Sequence, residues 1–292
     1  MKLALFNTYR LGVVVSDDEL VDVTDAVPGY TDDALIAGWW RGLCRDFGSL
    51  KPEIERIAAN GERIAIDSVT LRAPALNPSK IIAAASNYSA HVEEMHGVQE
   101  RTLGKVEKWM MDFDVFLKAP SSLADPGTDI VLPFSVRQAG HEVHHESELV
   151  IVIGQGGTSI PVERALDHVL GYTAGLDITV RSPADRSRRK SYDTFSPLGP
   201  WITVADESVD PTDFTILLTV NDIVRQNVNT SDLIIDVPGI VSYASSVMTL
   251  LPGDLIFTGA PPGVGPIEPG DQLDSYISGI GHLTAGVLEG QE

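Results

Sequence analysis

A single cysteine, Cys44, stands among 292 residues, so no intrachain disulfide can form and zinc sites built from several thiolates are excluded. A reducing, cytoplasmic setting is expected. Basic residues are also scarce, 21 Lys and Arg against 41 Asp and Glu, and the resulting net charge of −20 has the wrong sign for a surface that follows nucleic-acid phosphates. Long apolar runs are missing as well. The run LVIVIG after Glu148 falls far below the roughly 18 residues that suggest a membrane span. The opening MKLALFNTYR breaks its short apolar run at Asn7, too early for a secretory signal. Neither nucleic acid nor a membrane is therefore an expected partner, and no internal repeat or low-complexity tract is visible.

What is present is ordinary globular composition, 43% hydrophobic and 21% charged. The length suits two domains or one large β-rich one. The carboxylate excess suits a divalent cation, although a solvated acidic surface accounts for most of it.

Residues 1–30 alternate short apolar runs with turn residues, LALF, LGVVVS and LVDV, and predict small antiparallel strands. Thr31 and Asp32 stand where an N-cap belongs and predict a helix over ALIAGWWRGLCRDF; Pro52 predicts the start of a second, ending at Gly61. A small α/β domain over residues 1–74 is expected, with RAPALNPSK as the boundary. Residues 75–292 carry β-branched runs separated by Gly and Pro, including IIAAAS, TDIVLP, ELVIVIG, GPWITVA, FTILLTVN and DLIFTG. Two helical stretches interrupt them, PVERALDHV and VPGIVSYASSVMTL. The fold class is thus mixed and β-rich, with a sandwich, roll or barrel in the larger part and not a doubly wound sheet.

The densest chemistry lies in GHEVHHESELVIVIG, residues 140–154. His141, Glu142 and His145 match HExxH, but that zinc motif requires a helix. This segment follows Gly140 and runs into β-branched residues, so it reads as a strand. A strand holds positions 141 and 145 about 13 Å apart, too far to share an ion. Glu146 and Glu148, by contrast, would share one strand face about 6.6 Å apart, a span over which two carboxylates converge on one hard cation. Carboxylates running into an apolar strand need a counter-charge. Asp177, in GYTAGLDITVR, offers a third oxygen ligand, and Arg181 follows at period two to reach a ligand or to pair with that Asp.

His91 and Glu94 are spaced i, i+3 and share a face on a helical turn, where the carboxylate orients the imidazole and raises its basicity. The run from Asn87 to Gly97 is too short to be helical alone and would order against something else, as a segment closing on ligand does. His96, His144, His145, His168 and His282 have no such support and are expected to be structural or exposed, His145 standing next to Glu146. GQGGTS at 154 and GAPPGVGP at 259 lack the spacing of nucleotide loops.

These residues together resemble the fumarylacetoacetate hydrolase family over roughly positions 80–287. The family's YExEL is matched by HHESELVIVIG, its GYTxxxDxxxR by Asp177 and Arg181, its KSFDTFxPxGPW by KSYDTFSPLGPW from Lys190, and its NYxxHxxE by NYSAHVEE. FLKAPSSL at 116–123, NDIVRQNVNTSDL at 221–233 and TGAPPGVGP at 258–266 agree as well. The resemblance implies a β-roll catalytic domain and an Mg²⁺ or Mn²⁺ ion on Glu146, Glu148 and Asp177. It further implies catalytic roles for His91, Glu94 and Lys190, and substrate contacts at Arg181, Tyr88, Gln226 and Thr258. The implied activity is cleavage of a C–C bond in a 2-oxo or β-diketo acid of the acylpyruvate or fumarylpyruvate type, by a homodimer. Decarboxylation or tautomerisation of unsaturated 2-oxo diacids from aromatic catabolism is the alternative, and a ligand-binding homologue without turnover is the reading from another class. Two departures bear on the substrate end and leave the metal ligands untouched. Ala260 stands in place of the family's threonine, and ITVRSPADRSRRKS is shorter and more basic than usual before the lysine.

Overall fold

A computed structural model describes residues 1–103 and 112–292. Among them a twelve-stranded sheet runs Arg63–Ala65, Glu19–Asp22, Arg10–Val14, Lys2–Phe6, Ser196–Val204, Val169–Leu176, Ser147–Ile153, Leu255–Phe257, Ile81–Ala85, Asp114–Lys118; Leu71–Arg72 and Leu123–Ala124 join it off this path. A five-stranded sheet, Ile223–Asn229, Thr215–Val220, Gln272–Ile277, Gly281–Glu289 and Ile130–Leu132, packs against it. A third sheet has three short strands, Thr179–Val180, Val143–His145 and Gly265–Pro266, the first two of which adjoin Asp177 and Glu146 in sequence.

The strand Ser147–Ile153 shows why ELVIVIG is continuously apolar. Leu149, Ile151 and Ile153 enter the core shared with Ile216, Leu218, Ile277 and Leu283 of the second sheet, while Val150 and Val152 enter the core beneath the helix Gly38–Asn60. Burial on both faces removes the polar half of the alternation. Each such side chain, withdrawn from water, contributes roughly 1.5–3 kcal/mol. Neighbouring Gly175 faces Glu148 across the ladder, and a Cβ there would stand 2.6 Å from both Phe257 and Val150. The strand pair closes just where the acidic residues begin.

Two helix expectations change. The helix is a single one, Gly38–Asn60, with Pro52 inside it and Ala37, not Thr31 or Asp32, at its N-cap. Its buried residues Trp40, Leu43, Cys44, Phe47 and Ile54 keep one helical face across the proline. Pro52 and Gly48 are both exposed, so the Gly48 carbonyl that loses its donor faces water and the break is tolerated. Asp33 instead holds a turn through its side chain to the Leu35 amide and its carbonyl to Ile36. The stretch after Pro161 is a 3₁₀ helix, Val162–His168, whereas Val237–Val247 is the expected α-helix, capped by Asp236.

We propose residues 1–74 and 75–292 as the two units of the chain. The large sheet crosses that boundary, since Lys2 and Leu3 pair with Thr203 and Ile202.

Candidate metal centre and its cavity

Glu148 sits at the start of Ser147–Ile153 and Glu146 just before it, while Asp177 follows the adjacent strand Val169–Leu176 and its amide donates to the Glu146 carbonyl at 2.8 Å. Strand pairing alone therefore brings the three side chains together. One carboxylate oxygen from each lies within 4.8 Å of those of the other two, and all three residues are buried. HExxH is not helical: Val143–His145 is a strand, and neither His141 nor His145 joins a metal-ligating cluster among the described residues.

Three buried carboxylates need cations, and two have them. Glu146 accepts from Arg181 Nη2 at 2.6 Å and from Lys190 Nζ at 2.6 Å. Burial pushes its carboxyl up, but the charges of Lys190 and Arg181 outweigh that and hold it far below the usual range. Asp177 accepts from Lys118 Nζ at 2.5 Å and from Lys190, whose ammonium also donates to Thr179 Oγ1 at 2.7 Å. Glu148 has no ion pair among the described residues. It accepts the Gly259 amide at 2.7 Å, and burial together with the charge of Asp177 drives its carboxyl well above the ordinary value. An orphaned buried carboxylate beside two paired ones, all hard oxygens, fits a divalent cation of the Mg²⁺ or Mn²⁺ kind.

The trio opens into a cavity of about 60 Å³, lined also by His91, Val92 and Met95 from the helix Ser89–Leu103, by Phe116, and by Arg181, Arg186, Arg189 and Lys190. The helix is longer than the Asn87–Gly97 run predicts. Asn87 anchors its start by donating to the Ile235 and Thr258 carbonyls at 2.9 and 2.8 Å and accepting from the Ile235 amide. His91 Nδ1 lies 3.3 Å from Glu94 Oε2, as the i, i+3 spacing implies. Glu94 in turn accepts the Gly263 amide at 3.1 and 3.2 Å.

Gly263 has φ +91°, and a Cβ there would stand 1.9 Å from the Arg225 carbonyl oxygen. Gly263→Ala is expected to cost about 2 kcal/mol or more, lowering the melting temperature by roughly 4–8 °C. It should also displace the Glu94 anchor, so activity measured well below the transition should fall with it. Calorimetry and a rate assay on the same preparation check this.

At its far end the helix is tied down by Arg101, which donates to both Glu142 oxygens at 2.8 and 3.1 Å; His144 Nε2 shares Glu142 at 2.9 Å. Hydrogen bonds from Arg101 and then His144 lower the Glu142 carboxyl from 4.5 to about 2. A depressed carboxyl stabilises the folded arrangement above its unfolded value and loses that contribution as pH falls toward the folded one. Amide protection over Met95–Leu103, taken relative to the intrinsic exchange rate at each pH, is therefore expected to fall between pH 4.5 and 2, and Glu142→Gln should show the lower protection already at pH 7.

The sequence profile of the fumarylacetoacetate (FAA) hydrolase C-terminal family matches residues 80–288. Maleylpyruvate hydrolase of Aquipseudomonas alcaligenes is 40% identical over 289 residues, 98% of this chain and 99% of that protein. The chain belongs to the fumarylacetoacetate hydrolase family. Its fold is shared with the crystal structure of maleylpyruvate hydrolase from Sphingobium sp. SYK-6 in complex with manganese(II) and pyruvate, with TM-score 0.85, 41% identity and full coverage of both chains. The 5-carboxymethyl-2-hydroxymuconate delta-isomerase of Mycobacterium smegmatis is also similar, with TM-score 0.75, 34% identity and full coverage of both.

Within this family frame, some expected residues stand elsewhere than in the cavity. Gln226 Oε1 accepts the Ser147 amide at 2.9 Å and its Nε2 donates to the Pro261 carbonyl at 2.9 Å, which fixes the strand entry beside Glu146. Thr258 donates its hydroxyl to the Leu149 carbonyl at 3.0 Å. Tyr88 is buried with its hydroxyl unpartnered among the described residues, and none of the three lines the cavity. Arg181 pairs with Glu146, not with Asp177. Sequence reasoning passed over Lys118, Arg186 and Arg189. Lys118 was visible only as part of FLKAPSSL; the two arginines were visible as the unusually basic stretch before Lys190.

No helix among the described residues is long and apolar enough to cross a membrane.

Proposed function

We propose that the protein is a divalent-metal-dependent hydrolase that cleaves the C–C bond of an acylpyruvate, releasing pyruvate and a carboxylate. The observation that carries this reading is the orphaned Glu148 within the buried Glu146, Glu148 and Asp177 cluster, facing one cavity with the His91 and Glu94 pair. The two maleylpyruvate hydrolases, similar over the whole chain, support it.

Glu146, Glu148 and Asp177 would hold Mg²⁺ or Mn²⁺. When bound, the cation supplies positive charge beside the 2-oxo acid and lowers the energy of the enolate that C–C cleavage generates. Glu94 holds His91 Nδ1, leaving Nε2 to accept a proton from water. The water oxygen bonds to the acyl carbon, and the C–C bond breaks with its electron pair on the pyruvate methylene. His91 returns the proton to that carbon. Lys190 holds Glu146 and Asp177 in place, Arg181 holds Glu146, and Lys190 sets its ammonium at the cavity wall. Gln226 and Thr258 contribute by fixing the backbone at Ser147 and Leu149, and Tyr88 by packing under the site.

We place the enzyme in the cytoplasm as a homodimer acting on small 2-oxo acids; its single, buried thiol supports a reducing compartment. A panel of acylpyruvates, oxaloacetate and unsaturated 2-oxo diacids, assayed with Mg²⁺ or Mn²⁺ and with products identified by mass, tests the reading. Pyruvate plus a carboxylic acid is the expected result. Turnover of oxaloacetate or of the unsaturated diacids alone would replace hydrolysis by decarboxylation or isomerisation.

A further inference from the structure

The glutamate of the HExxH pattern stands outside the metal-ligating trio, yet Glu142 is where three elements meet. Its carboxylate takes the Arg101 fork at 2.8 and 3.1 Å and His144 Nε2 at 2.9 Å, and the His144 ring is buried. Its backbone carbonyl accepts the Arg181 amide at 2.8 Å, and the Arg181 side chain holds Glu146 at 2.6 Å. Glu142 is thereby fixed to the frame of the carboxylate trio independently of the helix Ser89–Leu103, which reaches it through Arg101.

The two ends of that helix are held differently. Asn87, fully buried at the entry, makes three side-chain hydrogen bonds to Ile235 and Thr258, and breaking them would leave buried polar groups without partners. The Arg101 and Glu142 side chains are 57% and 37% exposed, so their separation leaves both charges in water. The first end stays and the second can release. Measured along the helix axis from Asn87, His91 stands about 6 Å away, Met95 about 12 Å and Arg101 about 21 Å. A rotation about Asn87 thus moves Met95, on the cavity wall, about twice as far as His91. The middle of the helix is held by Glu94, whose contacts with the Gly263 amide are long, at 3.1 and 3.2 Å.

We propose that Arg101 is a positioning residue of the reaction: its fork on Glu142 is the releasable end of a lid hinged at Asn87, and it governs how long a ligand stays in the cavity. Arg101 acts through the helix and touches no reacting atom. Because the cavity wall at Met95 moves further than the imidazole, loss of the fork weakens ligand retention more than it slows the chemical step. This rests on the hydrolase reading above.

The test uses the full chain loaded with Mn²⁺. Titration calorimetry with oxalate reports retention without turnover, and kcat and KM for an acylpyruvate report the reaction. Arg101→Gln should weaken oxalate binding and raise KM by about 3–10-fold, lower kcat by less than that, and leave Mn²⁺ affinity unchanged. Arg101→Lys should recover part of the loss, since the charge stays and the fork is gone. Glu142→Gln should match Arg101→Gln, and the double variant should be no worse than either, because each change removes the same interaction. Glu100→Gln, an exposed change on the same helix, should alter none of these quantities. Unchanged oxalate affinity in Arg101→Gln, additive losses in the double variant, an equal effect of Glu100→Gln, or a parallel loss of Mn²⁺ affinity would each overturn the proposal. If no acylpyruvate is turned over while oxalate affinity still follows Arg101, the hydrolase reading fails and the latch stands. Turnover with KM and oxalate affinity indifferent to Arg101 overturns the latch and leaves the hydrolase reading in place.

Discussion

Glu148→Gln is expected to weaken Mn²⁺ or Mg²⁺ binding by more than about 100-fold, a larger effect than the loss of a group that merely supports a ligand. The variant keeps an oxygen able to accept the Gly259 amide, so the turn at residue 259 should survive. It removes the one carboxylate of the trio that has no ion pair among the described residues. Glu146 and Asp177 remain satisfied by Arg181, Lys190 and Lys118 and have little further need of a cation. The metal-free variant should accordingly be as stable as the metal-free wild type, or more so, since an uncompensated buried carboxylate has gone. Titration calorimetry with Mn²⁺, metal content by mass spectrometry and melting of the metal-free proteins read the two effects separately. Activity should fall with metal binding. His141→Ala and His145→Ala should retain the metal; the opposite pattern, metal lost in a histidine variant and kept in Glu148→Gln, would return the site to the HExxH reading.

His91→Ala should lower kcat for acylpyruvate hydrolysis by about 10²–10⁴-fold with metal affinity unchanged. His91 faces the cavity but is not one of the three clustered oxygen ligands, so the two quantities separate. Glu94→Gln should show a smaller loss of the same kind, because the amide can still accept from Gly263 while it no longer places a negative charge beside His91 Nδ1. Loss of CO₂ from oxaloacetate requires an electron sink and no activated water, so His91→Ala should affect it less. Oxalate with metal should slow proteolysis between Asn87 and Gly97 if the helix closes more tightly on bound ligand. Equal rates for wild type and His91→Ala on every acylpyruvate would remove water activation from the mechanism and favour decarboxylation or isomerisation.

How the cations are shared out decides both outcomes, and that sharing is a property of the folded chain. From residue types and spacing alone came the β-rich class, the strand character of HHESELVIVIG, the Glu146, Glu148 and Asp177 trio, and the turn of helix that joins His91 to Glu94. These were legible because alternation, i, i+3 spacing and motif content are local, and a strand of known period commits its side chains to faces before any partner is known. The start of the first helix at Gly38 was not legible, because Thr31 and Asp32 satisfy a capping pattern that the packing of Trp40, Leu43 and Phe47 overrides. Arg181 pairing with Glu146, Lys118 reaching Asp177 from 59 residues away, and Glu148 left without a counter-ion were likewise decided only by tertiary structure. Ion pairing depends on which strands lie side by side and on how far each side chain is withdrawn from water, and no local pattern carries that information.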